Sequence, residues 1–254
     1  MSDFDRNSAA ARRGFGVDRA VAIDEGLRAH MIRVYNYMTA GVALTGVLAW
    51  LTFQAAAVTD ASGRIVGLTS FGQAVYSGPM AIVLLLATLG LVFFISFRIN
   101  HLQASTALGL FLLYAALLGV ALSSIFLAYT LTSITRVFFI SAATFGAMSL
   151  WGYTTKRDLT AMGSFLMMGL FGLIIARVVH MIWPNGTLAL LISVIGVLIF
   201  VGLTAYDTQK IKEFYDVNDD GTISGRKAVM GALSLYLDFI NLFLMLLRLL
   251  GDRR

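Results

Sequence analysis

Long apolar stretches separated by short polar connections dominate the chain. Stretches of about 20 mostly apolar residues, enough for a helix to cross about 30 Å of hydrocarbon, occur seven times. Their predicted bounds are residues 37–57, 80–97, 105–128, 137–153, 162–182, 188–206 and 229–250. The prolines Pro79 and Pro184 both fall between stretches, where helices are expected to be interrupted. The pattern predicts an all-α integral membrane protein with seven transmembrane helices.

Composition supports one membrane domain. Apolar residues make up 58% of the chain and charged residues 13%, whereas a soluble domain has about 25% charged residues. The connections are too short for a second domain, so residues 31–254 are predicted to form the seven-helix domain. Residues 1–30 carry charges of both signs and no apolar core, which predicts a disordered cytoplasmic tail with a short amphipathic helix leading into the first span. The absence of cysteine excludes disulfides and thiolate metal sites.

The distribution of Lys and Arg predicts the orientation. If the N-terminus is cytoplasmic, thirteen of the nineteen Lys and Arg residues lie on the cytoplasmic side, as the positive-inside rule requires. The C-terminal tail is the weak point of this assignment, because seven full spans place Arg253 and Arg254 outside. A re-entrant last segment that returns the C-terminal tail to the cytoplasm therefore remains an alternative.

Two aspartates are the acids that touch the apolar spans. Asp207 closes the sixth span and Asp238 lies inside the seventh. A charged side chain at the centre of a membrane helix costs about 2.5–3.5 kcal/mol on insertion scales, so it persists where it has a partner or a water-filled cavity. Two such acids on consecutive helices predict a shared proton, because two adjacent carboxylates cannot both stay ionised in a low dielectric. In the alternative interpretation, Asp207 reaches water beside Lys210 and only Asp238 is buried.

Other polar residues accompany the aspartates. Polar side chains recur at helical spacing along the seventh span, which places them on one stripe facing the bundle interior. The stripe comprises Ser234, Asp238, Asn241 and Arg248, with Met245 between them. Thr204, one turn before Asp207, is a further candidate for a polar or pore-lining position.

The residues around the aspartates resemble a known family. The strings at 204–209 (TAYDTQ), 233–243 (LSLYLDFINLF) and 96–100 (SFRIN) are similar to the transmembrane Bax inhibitor motif family, in its bacterial branch. The resemblance implies a seven-helix fold in which the last helix is central and wrapped by the other six, in the bacterial inner membrane. It also implies a pH-sensitive calcium or cation leak gated by Asp207 and Asp238, with Arg98 as an alternative partner.

The resemblance also sets expectations for ligands and partners. Calcium is expected as a permeant ion that passes Asp207 and Asp238, and no bound cofactor and no nucleic acid is expected. Some relatives carry a glutamate in the second span, and this chain has no acid between Met80 and Phe97, so proton sensing is better supported than calcium selectivity. The expected surroundings are the lipid bilayer and a membrane-protein partner such as a membrane protease.

The connection before the last span contains a partial calcium-loop pattern. Asp216, Asn218, Asp220 and Gly221 match the first half of an EF-hand loop. The twelfth position is Lys227 and not the bidentate glutamate that such a loop needs. The segment is therefore interpreted either as a calcium site or as a polar turn between helices, and the missing glutamate favours the turn.

Two other function classes remain open. An intramembrane aspartyl protease also uses two aspartates on neighbouring helices, which could share a proton and activate water. That class resembles Gly-x-Gly-Asp at its second acid, where this chain has bulky residues at Tyr236 and Leu237, so the prediction is that the protein is not an enzyme. The second alternative, also implied by the resemblance, is a non-conducting scaffold that regulates membrane proteolysis or stress and cell-death signalling through its N-terminal tail.

Overall fold

The computed structural model describes residues 3–60 and 64–254, with side chains described from residue 25 onward. The first helix, α1, runs from Asp3 to Ala56. The backbone of the predicted tail from residue 3 onward therefore lies in α1, while the side chains of residues 1–24 lie outside the described part. The boundary between tail and membrane domain stays a prediction.

Nearly all of the remaining chain is helical. A two-stranded antiparallel hairpin of β1 (Ala57–Thr59) and β2 (Ile65–Leu68) follows α1. The helices after it are α2 (Ser70–Val75), α3 (Gly78–Arg98), α4 (Ala104–Leu122), α5 (Ile125–Ala128), α6 (Leu131–Thr154), α7 (Thr160–Ile182), α8 (Gly186–Glu213) and α9 (Gly221–Leu250), with a 3-10 turn at Ile99–His101. Within the described residues, seven segments are long and apolar enough to span a membrane: α1 from Glu25, α3, α4 continuing through α5, α6, α7, α8 and α9. The predicted seven-span, all-α fold is confirmed.

Side-chain caps define where several spans begin. The side chains of Ser77, Asn185 and Asp220 accept hydrogen bonds from the backbone N–H groups of the first turns of α3, α8 and α9. Such caps satisfy amide groups that have no partner within the helix. Pro79 lies in the first turn of α3, where its missing N–H costs no helical hydrogen bond.

The last helix is the most buried span. In α9, 72% of the most apolar 18-residue window is buried, whereas the corresponding values for α3 and α7 are 11% and 6%. Helix α9 packs directly against α1, α4, α6 and α8, while α3 packs mainly on α4 and α7 mainly on α8. The last helix is thus internal, and its enclosure by all six other spans stays a prediction.

Helix α9 crosses the whole bundle. At its start, Arg226 donates hydrogen bonds to the carbonyl oxygens of Asn100 and Leu102, which precede α4. After its end, the Thr130 N–H donates to the carbonyl oxygen of Asp252, and the Arg254 N–H donates to that of Ala128, the last residue of α5. These two sets of contacts lie at opposite ends of α4. The C-terminal tail therefore lies at the end of the bundle opposite to the start of α9, and the re-entrant alternative is wrong.

The two ends of the bundle carry different connections. The inner end carries the connections at residues 99–103, 155–159 and 214–220, and the outer end carries residues 57–77, 129–130, 183–185 and 251–254. The inner end is the one predicted to face the cytoplasm.

Candidate functional site

Asp238 lies in the bundle interior, and its side chain has no hydrogen-bond partner among the described residues. Its side chain is 5% exposed, and its Oδ2 atom has no hydrogen-bond partner among the described residues. None of the ion pairs in the described part of the chain includes this carboxyl group. An ionised carboxylate in such a position loses its hydration without compensation, which makes Asp238 an energetically expensive residue.

Asp207 lies at a cavity that opens toward the inner end. The side chain is half-buried in α8 and lines a cavity of about 460 Å³. Polar and charged side chains contribute to the lining: His30, Asn100, Asp207, Lys210, Arg226, Lys227 and Ser234. The charge of Lys210 acts on the Asp207 carboxyl group. Asp207 therefore occupies an intermediate position between the aqueous end and the buried Asp238.

Helices α8 and α9 pack as an antiparallel pair that brings the aspartates near each other. A Cβ atom added to Gly231 would lie 3.0 Å from Ile211, and one added to Gly196 would lie 3.0 Å from Met245. This register places Asp207 at the level of Ser234 and Asp238 about one helical turn, roughly 5 Å, further from the inner end.

The two carboxyl groups interact electrostatically without a direct bond. The charge of Asp207 acts on Asp238. No hydrogen bond joins the two side chains among the residues that the structure describes, so the shared proton stays a prediction. The register of α8 and α9 explains why no direct bond forms, because it offsets the two side chains by about one helical turn. The sequence shows only that they lie on adjacent helices.

The other predicted site residues lie in three different settings. Ser234 lines the same cavity as Asp207. Thr204 is fully buried, and its hydroxyl group donates to the carbonyl oxygen of Phe200. The Asn241 amide donates to the carbonyl oxygen of Leu237. Both side chains therefore bond within their own helices. Arg98 is exposed at the end of α3 and forms no ion pair with either aspartate in the described part of the chain.

His30 is a site residue that sequence reasoning missed. Its side chain is 3% exposed, and neither ring nitrogen has a hydrogen-bond partner among the described residues. The ring lies 5.6 Å from that of Tyr215 and lines the cavity that contains Asp207. Helical spacing was an available signal, since His30, Val34 and Met38 recur every four residues on the buried face of α1.

Tyr236 was also missed as a positioning residue for α9. It is fully buried, and its hydroxyl group forms a 2.6 Å hydrogen bond with Thr45 Oγ1 in α1. Because Thr45 donates to the carbonyl oxygen of Ala115 in α4, Tyr236 is the donor of this bond. The bond ties α9 to α1 and α4, two residues before Asp238.

A second hydroxyl chain joins three helices close to Asp207. Thr208 donates to the carbonyl oxygen of Thr204, Ser149 donates to Thr208 Oγ1 at 3.0 Å, and Tyr35 donates to Ser149 Oγ. The chain connects α1, α6 and α8. Sequence spacing gave no signal for it, because the bonded pairs Tyr35–Ser149 and Ser149–Thr208 are 114 and 59 residues apart along the chain.

The partial calcium-loop pattern forms a capping turn. The Asp216 carboxyl group accepts hydrogen bonds from the backbone N–H and the side-chain amide of Asn218, which lower the pKa of Asp216. Asp220 caps α9, and Asp219 pairs with Lys227 at 2.5 Å. These contacts engage one carboxylate oxygen of each of Asp216, Asp219 and Asp220. Across the described residues, no group of three or more His, Cys, Asp or Glu side chains is arranged to hold a metal ion.

Comparison with known proteins identifies relatives over almost the full length. The sequence model of the family described as "Inhibitor of apoptosis-promoting Bax1" matches residues 27–254. The inner membrane protein YbhL of Escherichia coli K12 is 45% identical over 240 residues, which cover 93% of this chain and 97% of that protein. An uncharacterised protein of Caulobacter vibrioides is 41% identical over 261 residues and covers both chains completely. A protein of Rickettsia prowazekii is 46% identical over 231 residues, covering 91% of this chain and 92% of its own.

Proposed function

This chain belongs to the Bax inhibitor family, and from that premise we propose that it is a pH-sensitive cation leak of the bacterial inner membrane. Protons on Asp207 and Asp238 would control its opening, and calcium would be the permeant ion. The family and the name of the Escherichia coli relative support the membrane location, and the arrangement of the two aspartates supports the control by protons.

One observation carries the proposal. Asp238 is buried in the most enclosed helix, has an oxygen without a hydrogen-bond partner among the described residues, and interacts with the charge of Asp207. A residue whose only role is packing would not be a carboxylic acid, since an apolar side chain of similar size would fill the space at a lower cost. A titratable group in that position supports a role that depends on its change of charge.

The change of charge would act on the contact between α8 and α9. At low pH both carboxyl groups are neutral, and the close packing of Gly231 on Ile211 and of Gly196 on Met245 holds the helices together. At higher pH two negative charges near each other in a medium of low dielectric repel strongly. Repulsion would separate α8 from α9 and open a path from the inner cavity toward the outer end.

The cavity at the inner end supplies the entrance to that path. Asp207 lies in its lining and Asp238 about one turn deeper, so two carboxylates would meet a cation in succession. Lys210, Arg226 and Lys227 also contribute to the lining. Lys227 is paired with Asp219, and Arg226 is held by carbonyl oxygens. Lys210 is the lining cation whose charge acts on Asp207, so a permeant cation would compete with Lys210 for this carboxylate.

A flux measurement tests the proposal. Purified full-length protein is reconstituted in liposomes that contain a calcium-sensitive dye, and calcium influx is recorded between pH 6 and pH 8. We expect influx to rise with pH in the wild-type protein. We expect Asp207→Asn combined with Asp238→Asn to remove this pH dependence, because neither position can then change its charge.

A matched control separates this effect from a general loss of negative charge. Asp252→Asn removes an exposed acid at the outer end and should keep the pH dependence of the wild-type protein. Influx that responds to pH equally in the wild-type protein and in the double variant would sink the proposal, as would the absence of influx in folded wild-type protein.

The description of the family favours a second candidate function. A family described as an inhibitor of an apoptosis-promoting protein suggests a non-conducting regulator that acts through a protein partner. Deletion of residues 1–24 distinguishes the two candidates, since a leak formed by the spans should persist without this segment. Loss of partner binding with unchanged flux would assign the segment to regulation.

The burial of Asp238 disfavours the protease alternative. Activation of water requires water at both carboxyl groups, whereas Asp238 is 5% exposed and the adjacent Tyr236 side chain is fully buried. Cleavage of a reporter helix by purified protein, with loss of cleavage in Asp238→Ala, would support the protease instead.

A further inference from the structure

A long apolar groove separates α1 from α6. Two adjoining cavities of about 620 Å³ and about 410 Å³ form it, and both are lined by Val42, Phe138 and Phe239. The larger cavity begins beside Arg28 at the inner end, and the smaller one reaches Trp50 toward the outer end. The groove therefore follows α1 through most of the membrane.

The walls and floor of the groove come from three helices. Helices α1 and α6 form the walls and stand apart, joined by the hydrogen bond between Tyr35 and Ser149. Phe239 of α9 forms part of the floor. A Cβ atom added to Gly146 on the α6 wall, or to Gly46 on the α1 wall, would meet no atom within 4 Å. The protein thus leaves space along this groove that its own side chains do not fill.

We propose that the larger cavity binds one glycerophospholipid of the surrounding bilayer, with an acyl chain in the groove and the phosphate at Arg28. Apart from Arg28 at its end, the lining of the larger cavity is predominantly apolar, which suits an acyl chain. The neighbouring side chains Ile32 and Leu150 are 50% and 64% exposed, so the groove opens where lipid surrounds the protein.

The length and the charge of the cavity match a lipid of the inner leaflet. Arg28 and Val42 are fourteen residues apart on α1, or about 21 Å along the helix. Half of a hydrocarbon core of about 30 Å, plus the adjoining headgroup layer, has a similar depth. Arg28 is exposed at the end of the groove and forms no ion pair with any residue whose side chain is described. Its guanidinium group can therefore hold a phosphate.

A lipid in the groove would lie beside the candidate site, because Phe239 forms part of the groove floor. Phe239 directly follows Asp238 along α9. A lipid in the groove would fill the space on the α1–α6 side of this part of the helix. The lipid site does not rest on the proposed leak, because its evidence is the shape, the lining and the charge of the groove.

Lipid titration of the full-length protein tests the assignment. Delipidated protein in detergent is titrated with palmitoyl-oleoyl-phosphatidylcholine or with palmitoyl-oleoyl-phosphatidylglycerol, and bound lipid is counted by native mass spectrometry. We expect one lipid of either type to be retained by the wild-type protein. Gly146→Leu should lower the affinity about tenfold or more by filling the groove. Arg28→Gln should lower it about threefold by removing the charge at the phosphate.

A glycine outside the groove provides the matched control. Gly109 in α4 also has no atom within 4 Å of an added Cβ and lines neither cavity, so Gly109→Leu should retain lipid as the wild-type protein does. Thr39→Leu, on the α1 wall, gives the same test if Gly146→Leu does not fold. Equal lipid retention in the wild-type protein and in Gly146→Leu and Thr39→Leu would overturn the assignment. A wild-type dimer that dissociates in Gly146→Leu, without retained lipid, would show that a second copy of the chain covers the groove and would also overturn it.

Discussion

The outer end of α9 and its middle differ in how their polar groups are satisfied. After the outer end, backbone groups of Asp252 and Arg254 bond to Thr130 and Ala128, and Asp252 N–H donates to Ser133 Oγ at 2.8 Å. In the middle of the helix, Asp238 is buried with a carboxyl oxygen that has no partner among the described residues. A bonded end is suited to hold α9 in place, and an unpaired titratable group is suited to respond to protons. The difference indicates that a change of charge at Asp238 would act on the middle of α9 while its outer end stays attached.

Removing the outer attachment should have the largest effect on stability. Deletion of residues 252–254 removes three hydrogen bonds to Ala128, Thr130 and Ser133, and the contact of Arg253 with the Tyr129 ring. At about 0.5–1.5 kcal/mol for each hydrogen bond, the free energy of unfolding should fall by roughly 2–4 kcal/mol. Denaturant titration in detergent micelles measures this change. Unchanged stability would mean that the tail does not hold the outer end.

Replacing the buried acid Asp238 should raise the free energy of unfolding. Asp238→Leu replaces a carboxyl group that has an unpaired oxygen by an apolar side chain of similar size. We expect the free energy of unfolding to rise by about 1–3 kcal/mol at neutral pH, because the cost of the unsatisfied polar group disappears. The same variant should lose the pH dependence of calcium influx. A large loss of stability, measured by the same titration, would instead show that Asp238 has a stabilising partner.

Removing a hydrogen bond in the middle of α9 should have a smaller effect on stability. Tyr236→Phe removes the hydroxyl group that donates to Thr45 and leaves the ring packed against Phe111 and Tyr114. The hydrogen bond of Thr45 to Ala115 remains, so the free energy of unfolding should fall by about 1 kcal/mol. Combining Tyr236→Phe with Thr45→Val in a double-mutant cycle measures the interaction. Fully additive effects would contradict a bond between these two side chains.

The smallest effect is expected at an exposed ion pair of the outer end. Arg136 and Asp252 approach to 4.0 Å with both side chains more than half exposed. Such pairs contribute about 0–1 kcal/mol, so Arg136→Gln should leave the free energy of unfolding within about 0.5 kcal/mol of the wild-type value. Measuring it at low and high salt checks the assignment. A strong salt-dependent loss would show that charge, and not backbone hydrogen bonding, holds the tail.

Much of the fold could be predicted from the sequence, and less of the candidate site. The seven apolar stretches and the position of Asp238 inside the last one were readable because each depends on residues that are consecutive in the chain. His30 was not assigned a role, although it lies on the buried stripe of α1, because a single histidine near a span end gives no pattern of its own. In the sequence, Tyr236 is only a bulky residue that argues against a protease, because its bonding partner Thr45 lies 191 residues away.

The sequence by itself determined the number of spans and the presence of two acids in apolar helices. These properties are local, since hydrophobic length acts within one segment. Only the tertiary structure decided which polar groups obtain partners: the offset between Asp207 and Asp238, the attachment of the C-terminal tail, and the groove between α1 and α6. Each depends on how helices distant in sequence pack side by side, and the bilayer, which constrains the length of every span, does not by itself specify that packing.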